Sequence, residues 1–554
     1  VITKGLYLKT DTKEPEFFTL TSVRIISSPS PTLLSNMSLP KLPIGIQAFS
    51  EMRTGGYAYV DKTKFISELV AKGKYYFLSR PRRFGKSLFI DTLDCAFSGR
   101  KELFSGLYLD SPDAGWDFET TYPVLRVDFA GGTLKEISDL ITRLTTTLDE
   151  WEEYYEIDKS SGDPGVRLLS LIPKIAKKTG KQVVILIDEY DRPILDNIGD
   201  ISLVKEMRDC LKNFYGAIKP LDIHLKFVLL TGVSKFAKTG IFSGLNNLND
   251  ITLDRPYSAI CGYTQHDLET VFSEYLKKFD VDEIREWYDG YSWTGESVYN
   301  PFDILLLFSK GIIRPYWFET GTPSFLIALW KKHPRLPAEY EGLIAGDDLL
   351  GSFDPEYIRT ETLLFQAGYL TIKSWTSDPI RGFRCVLGYP NTEVRSSLNY
   401  LFSEALIGRD SFGIRDQLYD ALEQEDSDRL HSCFHSFFAS IPHDWYRNNP
   451  IARYEGYYAS VVYTYFASLG YEVIPEDTSN KGRVDLTVKT RSGIWIFEFK
   501  VIGIDKSGDE SPLEQIRKRG YAEKYRSDSR PIYEVGIVFD PETRNIERWE
   551  MQLV

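Results

Sequence analysis

The chain has 554 residues, past the size at which one hydrophobic core keeps growing, so about two to four domains are expected. Apolar residues at 42% and charged residues at 26% describe a folded globular protein and exclude a disordered one. The formal charge of −13 excludes a general polyanion-coating protein, because such binding rests on phosphate neutralisation by Lys and Arg.

Any nucleic-acid contact must therefore be local. Basic clusters at "RPRR" and "QIRKRGYAEKYR" could face phosphate, against the plainer reading of solvated surface. Cys95, Cys210, Cys261, Cys385 and Cys433 are scattered and never spaced as C-x-x-C, which fits a reducing compartment and supports neither a zinc site nor a disulfide frame. No apolar run is long enough to cross a bilayer, and the N-terminus lacks the order of a signal peptide. A cytoplasmic protein without a membrane partner is expected.

In chain order, residues 1–36 read as a weakly structured leader or extension, with "SSPSPTLLSN" in its second half and Met37 as an alternative start. From "LPIGIQAF" onward the texture is α/β. "KYYFLS", "PVLRVDF", "QVVILIDEY" and "LKFVLLTG" read as strands, alternating with helices such as "SLVKEMRDCLKNFYGAI". That alternation predicts a parallel sheet covered on both faces.

After about residue 256 the strands thin out. "TQHDLETVFSEYLKKF", with Thr264 and Asp267 at capping positions, reads as one helix. "ETLLFQAGYLTIKSW" and "GFRCVLGYP" read as a helix and a hairpin, the pattern of a small winged-helix unit. The last hundred residues return to α/β. The helix "RYEGYYASVVYTYFASLG" stops at Gly470, the strands "YEVIPED", "GRVDLTVKT" and "GIWIFEFKV" follow, and then the helix "PLEQIRKRGYAEKYR" and the strand "IYEVGIVF".

Two stretches carry chemistry. "RPRRFGKSLF" ends as a phosphate-binding loop does, with Gly85, Lys86 and Ser87 in their places between a strand and a helix, but with Arg80 where the strict pattern has glycine. "VVILIDEY" ends an apolar strand in Asp188 and Glu189, suited to holding Mg²⁺ and to polarising an attacking water. Thr231 and Ser234 close the next strand, where a hydroxyl could sense a terminal phosphate. Arg82, Arg83 and Arg255 are candidates for countering phosphoryl charge, and the pattern does not choose among them.

The second stretch pairs Asp485 of "GRVDLTV" with Glu498 and Lys500 of "FEFK" on neighbouring strands. Two carboxylates and a lysine at one place repel or cost energy unless they hold a cation, which points to Mg²⁺ or Mn²⁺ and phosphodiester hydrolysis. Glu455 on the preceding helix could add a carboxylate to the metal shell, and Gln515 on the following helix could orient the site. A chance match on a polar strand is the competing reading, weakened by how apolar "IWIFEFKV" otherwise is.

Together with "LPIGIQAFSEMRTGGYAYVDKT", "TGVSKF", "WYDGYSWTGESVYNPFDIL", "FQAGYLTI" and "GYPNTEVR", these segments resemble bacterial proteins that join an AAA-ATPase-like P-loop domain to a C-terminal PD-(D/E)XK nuclease-superfamily domain. In that family the phosphate loop typically reads RPRRFGKS, so Arg80 agrees with the resemblance. The resemblance implies that Gly85, Lys86, Ser87, Asp188 and Glu189 serve ATP and Mg²⁺, and that Asp485, Glu498 and Lys500 form a nuclease core with Glu455 and Gln515 beside it.

The resulting expectation is a multidomain α/β protein. Residues 37–255 form a P-loop NTPase domain with a parallel sheet, 256–390 a helical lid and winged-helix-like region, and 391–554 a restriction-endonuclease-like domain. The expected activity is metal-dependent DNA cleavage coupled to or regulated by ATP, in defence or mobile-element biology, with self-assembly into homo-oligomers open. The competing readings are a nucleotide-switched scaffold that holds DNA or protein without cutting, and a plain ATPase acting on protein partners.

Overall fold

The computed structural model describes residues 39–235, 241–242, 244–318, 337–350, 359–407, 411–441, 455–503 and 511–554. The expected leader, residues 1–36, lies outside them, and the fold is built by residues 41–554.

Strands β1 (Tyr75–Ser79), β2 (Val124–Asp128), β3 (Val183–Asp188), β4 (Leu225–Gly232) and the short β5 (Asn249–Asp250) form a parallel sheet in the order β2-β3-β4-β1-β5. β1 and β3 carry no polar alternation, and every residue of both is buried. Alternate side chains therefore feed two cores: Tyr76, Leu186 and Leu229 enter one, and Phe77, Ile187 and Leu230 the other. Helix α1 (Lys86–Phe97) packs into the first core, and α2 (Ile137–Tyr154), α3 (Pro164–Thr179) and α4 (Ile201–Gly216) cover the second. Their limits follow local chemistry. In α3, Asp163 accepts from the N–H groups of Gly165 and Val166, Pro164 takes the first helical position, and Gly180 ends the helix in a left-handed conformation.

The expected long helix after Thr264 is shorter. The capping box between Thr264 and Asp267 is present and starts α5 (Gln265–Val271), but Phe272 is wholly buried against Tyr263 and Phe308 and leaves the helical path at φ −113°, ψ 18°. A further short turn, Ser273–Leu276, follows. Tertiary burial of one aromatic ring here overrides local helix preference. After a helix over Val281–Tyr288 comes α6 (Pro301–Lys310), capped by the Asn300 side chain on the Phe302 N–H, with Pro301 at the first position and Gly311 closing it.

In the middle region β6 (Leu343–Gly346), β7 (Thr371–Asp378) and β8 (Gly382–Gly388) make an antiparallel sheet in the order β6-β8-β7, with α7 (Thr360–Ala367) preceding β7. The helix and hairpin stand where expected, and β6 is an addition. Helix α8 (Thr392–Ile407) falls within the segment assigned to the C-terminal domain, yet Val394, Leu398 and Phe402 belong to the apolar core that also holds Phe49 and, on β1, Tyr76. That core runs unbroken past residue 255 and includes Leu364, Ile372 and Leu387.

The C-terminal block holds α9 (Ser411–Glu423), α10 (Ser427–Ser440), α11 (Glu455–Ser468), β9 (Glu472–Ser479), β10 (Gly482–Lys489), β11 (Ile494–Val501), α12 (Pro512–Arg519), β12 (Ile532–Asp540) and β13 (Asn545–Leu553). Its mixed sheet has the order β13-β12-β11-β10-β9, with only β11 and β12 parallel among its pairs. β13, "NIERWEMQL", was not evident in the sequence because its polar residues dominate; pairing along β12 makes it a strand. α12 stops at the left-handed Gly520, ahead of the expected end at Arg526, because the Gly520 N–H turns back onto the carbonyls of Ile516 and Arg517. α8 packs lengthwise against α11, so the first core and the C-terminal block meet helix to helix.

One glycine fixes how the middle region is braced. Gly290 has φ +106°, and a Cβ there would lie 2.2 Å from the carbonyl oxygen of Pro390. The strain and the backbone collision act together, so Gly290→Ala should destabilise the fold by on the order of 2 kcal/mol or more, read as a lower midpoint in thermal or urea unfolding followed by circular dichroism.

Candidate functional site

The phosphate loop leaves β1 and turns into α1 through two left-handed residues, Arg83 (φ 69°) and Gly85 (φ 95°). A Cβ at Gly85 would meet nothing within 4 Å, so glycine is needed there for its dihedral angle rather than for space. Phe84 between them anchors the loop by packing edge-on against Tyr291 and Trp293. Lys86 is buried, and its Nζ donates to the carbonyls of Arg80 and Pro81 at 2.9 Å each. Burial lowers the Lys86 pKa, opposed by the charge of Asp188.

Arg80, at the position a strict loop gives to glycine, turns away from the loop. Its guanidinium is fully buried, donates to the carbonyls of Ser79, Thr252 and Tyr257 at 2.8–3.0 Å, and lies 4.2 Å from the Trp293 ring centre. Burial depresses its pKa to about 10. Arg80 is therefore a strut that ties the loop's base to the segment after β5.

Asp188 ends β3, wholly buried. Its Oδ1 accepts from Thr231 Oγ1 at 2.7 Å and from the Glu189 N–H at 3.0 Å, while Oδ2 has no hydrogen-bond partner. β4 lies between β1 and β3, which puts Thr231 beside Asp188. Glu189 adopts φ 51° and is held by Arg192, whose Nη1 is 3.0 Å from Oε2. Arg192 was missed in the sequence; its position three residues on in "DEYDR" was the available signal.

Ser234 is placed differently from its expected sensing role. Its hydroxyl and N–H both donate to Asp191, itself buried, so this serine ties the end of β4 to the end of β3.

A cleft of about 390 Å³ brings together Gly85, Lys86, Ser87, Arg82, Arg83, Glu189 and Arg192 with an apolar wall that includes Ile46, Tyr263 and Phe302. Arg82 is exposed, 3.8 Å from Asp196, and the Arg83 guanidinium lies 3.7 Å from the Phe302 ring centre. Arg255 is exposed and outside the cleft lining. The orphaned Asp188 oxygen, the Ser87 hydroxyl and the cationic loop form a donor set that fits a divalent cation with phosphates.

The C-terminal carboxylates are assembled by three elements. Asp485 and Glu498 stand on β10 and β11, next to the paired positions Leu486 and Phe497. Asp485 Oδ2 accepts from the Phe499 N–H at 2.7 Å, and Glu455, at the start of α11, hydrogen-bonds the Asp485 carboxyl. Gln515 of α12 donates to Glu498 Oε1, while Glu498 Oε2 is buried without a partner. Lys500 and Arg519 each counter the charge of Glu498. All five expected residues thus converge, and Arg519, within the basic run of α12, is an addition.

Burial, followed by the neighbouring carboxylates, pushes Asp485 and Glu498 up to about 7. Among the described residues no group of three His, Cys, Asp or Glu side chains is drawn together closely enough to cage a metal ion. The donors are all oxygen, one of them orphaned, which fits a hard cation that takes few protein ligands and completes its shell with water and phosphate.

Because both carboxyls are raised, they cost nothing while protonated and weigh against the fold as pH climbs from the ordinary carboxylate range through about 7. Asp485→Asn should therefore raise the metal-free melting temperature at pH 8 and leave it nearly unchanged at pH 4, measured by differential scanning fluorimetry in a chelator.

Comparison with known proteins agrees with this division of chemistry. The family described as "Predicted AAA-ATPase" matches residues 43–242, and the PD-(D/E)XK nuclease superfamily matches residues 453–549. A protein of Azotobacter chroococcum mcd 1, described as an uncharacterized protein in the vnfD 5′ region, is 48% identical over 517 residues, covering 92% of this chain and 98% of its own. With both regions matched in order and a relative alike over nearly its whole length, the chain belongs to the family that joins an AAA-ATPase-like domain to a C-terminal PD-(D/E)XK nuclease-superfamily domain.

Proposed function

We propose that this protein is a metal-dependent DNA nuclease whose activity is coupled to ATP. The observation that carries the reading is the buried, partnerless Oε2 of Glu498 beside Asp485, in a cluster completed by Glu455, Lys500 and Gln515. Buried like charges are costly, and a bound divalent cation would offset them while accepting a phosphodiester oxygen in its shell.

In this reading Asp485 and Glu498 would hold Mg²⁺ or Mn²⁺, with Glu455 drawn in to complete the shell; when bound, the cation would polarise the phosphodiester and lower the pKa of a water. Gln515 fixes the Glu498 carboxylate by donating to Oε1. Lys500 orients the attacking water or assists its deprotonation, and Arg519 offers charge to the DNA backbone. At the other end Lys86 leaves the carbonyls of Arg80 and Pro81 for the nucleotide phosphates. Ser87 and Asp188 would hold the associated Mg²⁺, and Glu189 would orient water for hydrolysis.

Cleavage of single- and double-stranded DNA with Mg²⁺ or Mn²⁺, with and without ATP, tests the proposal. Asp485→Ala should reduce cutting by at least about 100-fold and leave ATP binding intact. Lys86→Ala should weaken ATP binding and remove the ATP dependence of cutting. Absence of cutting by the wild type under every condition, with ATP still hydrolysed, would replace this reading with the nucleotide-switched scaffold.

A further inference from the structure

Two family segments, "YNPFDIL", whose Phe302 walls the nucleotide cleft, and "GYPNTEVR", bring two carboxyls together outside both sites. Asp303 lies in the first turn of α6 and Glu393 in the first turn of α8, both at 0% exposure. Glu393 Oε1 accepts from the Trp317 N–H at 2.8 Å, and the two carboxyls hydrogen-bond to each other. Such a contact needs a proton between them, so the pair carries one negative charge. Glu393 Oε2 and both oxygens of Asp303 make no hydrogen bond to any other group.

Among the described residues the charged group facing the pair is Arg83, whose guanidinium covers Phe302, the neighbour of Asp303. The phenols of Tyr288, Tyr291 and Tyr316 also face it, each raised by burial and therefore neutral. Burial raises both carboxyls as well, Glu393 further because Asp303 adds its charge. Arg83 itself is exposed and lines the nucleotide cleft, so the side chain whose charge acts on Asp303 also faces the cleft.

We infer that Asp303 and Glu393 are positioning residues for Arg83, holding its guanidinium at the cleft, and that nucleotide phosphates arriving at Arg83 draw a second proton from solvent onto the pair. The phosphates add negative charge beside Arg83 and weaken its hold on the pair's own charge, so the pair's affinity for a proton rises. The inference rests on the nucleotide reading of the cleft. It also gives the nucleotide a connection to the rest of the chain, because α6 walls the cleft while α8 packs on α11, which begins at Glu455.

The test is proton uptake on binding of the non-hydrolysable ATP analogue AMP-PNP with Mg²⁺, measured on the full chain by isothermal titration calorimetry near neutral pH in two buffers of different ionisation heat. The analogue's own ionisation is common to all variants and cancels between them. Wild type should take up as much as about one proton more than Asp303→Asn/Glu393→Gln, and its affinity should rise by up to about tenfold more per unit fall in pH. Arg83→Ala, which removes a cleft charge, should bind more weakly and, measured at saturating analogue, should lose the same excess. Equal proton counts in wild type and Asp303→Asn/Glu393→Gln, with both binding the analogue, would overturn the inference alone. Failure of the wild type to bind the analogue would overturn it together with the nucleotide reading.

Discussion

A carboxylate removed from water must find a cation, a proton or hydrogen-bond donors, and three places in this chain meet that requirement only in part. Asp188 satisfies one oxygen with Thr231 and the Glu189 N–H and leaves the other bare. Asp303 and Glu393 hydrogen-bond each other. Asp485 and Glu498 are raised by burial, Asp485 further by the charge of Glu498 and Glu498 by that of Glu455, with one oxygen orphaned. A core optimised for stability alone would have filled these positions with apolar side chains. Their incompleteness is what makes the first and third suited to ions and phosphates, and the second suited to respond to them.

The scaffolding around these carboxyls is more fully bonded, with the Arg80 Nε the exception. Arg80 places its charge where three carbonyls and an aromatic face receive it, which lets the phosphate loop dispense with its first glycine. Asp191 gathers Ser234 and the N–H of Val233, fixing the ends of β3 and β4 relative to each other. Firmly bonded supports beside unsaturated acids allow binding geometry to be held while charge is left available.

The continuity of the first core from β1 to α8 bears on how two chemistries share one chain. Val394, Leu398 and Phe402 place α8 with the phosphate-loop region, and its packing on α11 then brings the C-terminal block against a helix from the other side. A boundary drawn at residue 390 from composition misses this, because a helix has two faces and sequence pattern does not say which neighbour each face will meet.

Short-range requirements were legible in the chain itself. The left-handed turn at Gly85, the apolar β3 ending in acids, the capping box at Thr264 and the two charges within "IWIFEFKV" are dictated by dihedral angles, strand alternation and burial within a few residues. What the tertiary structure decided were long-range partnerships: Arg80 turning inward to Thr252, Ser234 closing on Asp191, Arg192 holding Glu189, Phe272 breaking its helix, and Asp303 meeting Glu393. Local pattern fixes which side chain faces inward, but electrostatic and steric satisfaction of a buried group depends on whatever the folded chain places opposite it, and that is set by packing between distant segments.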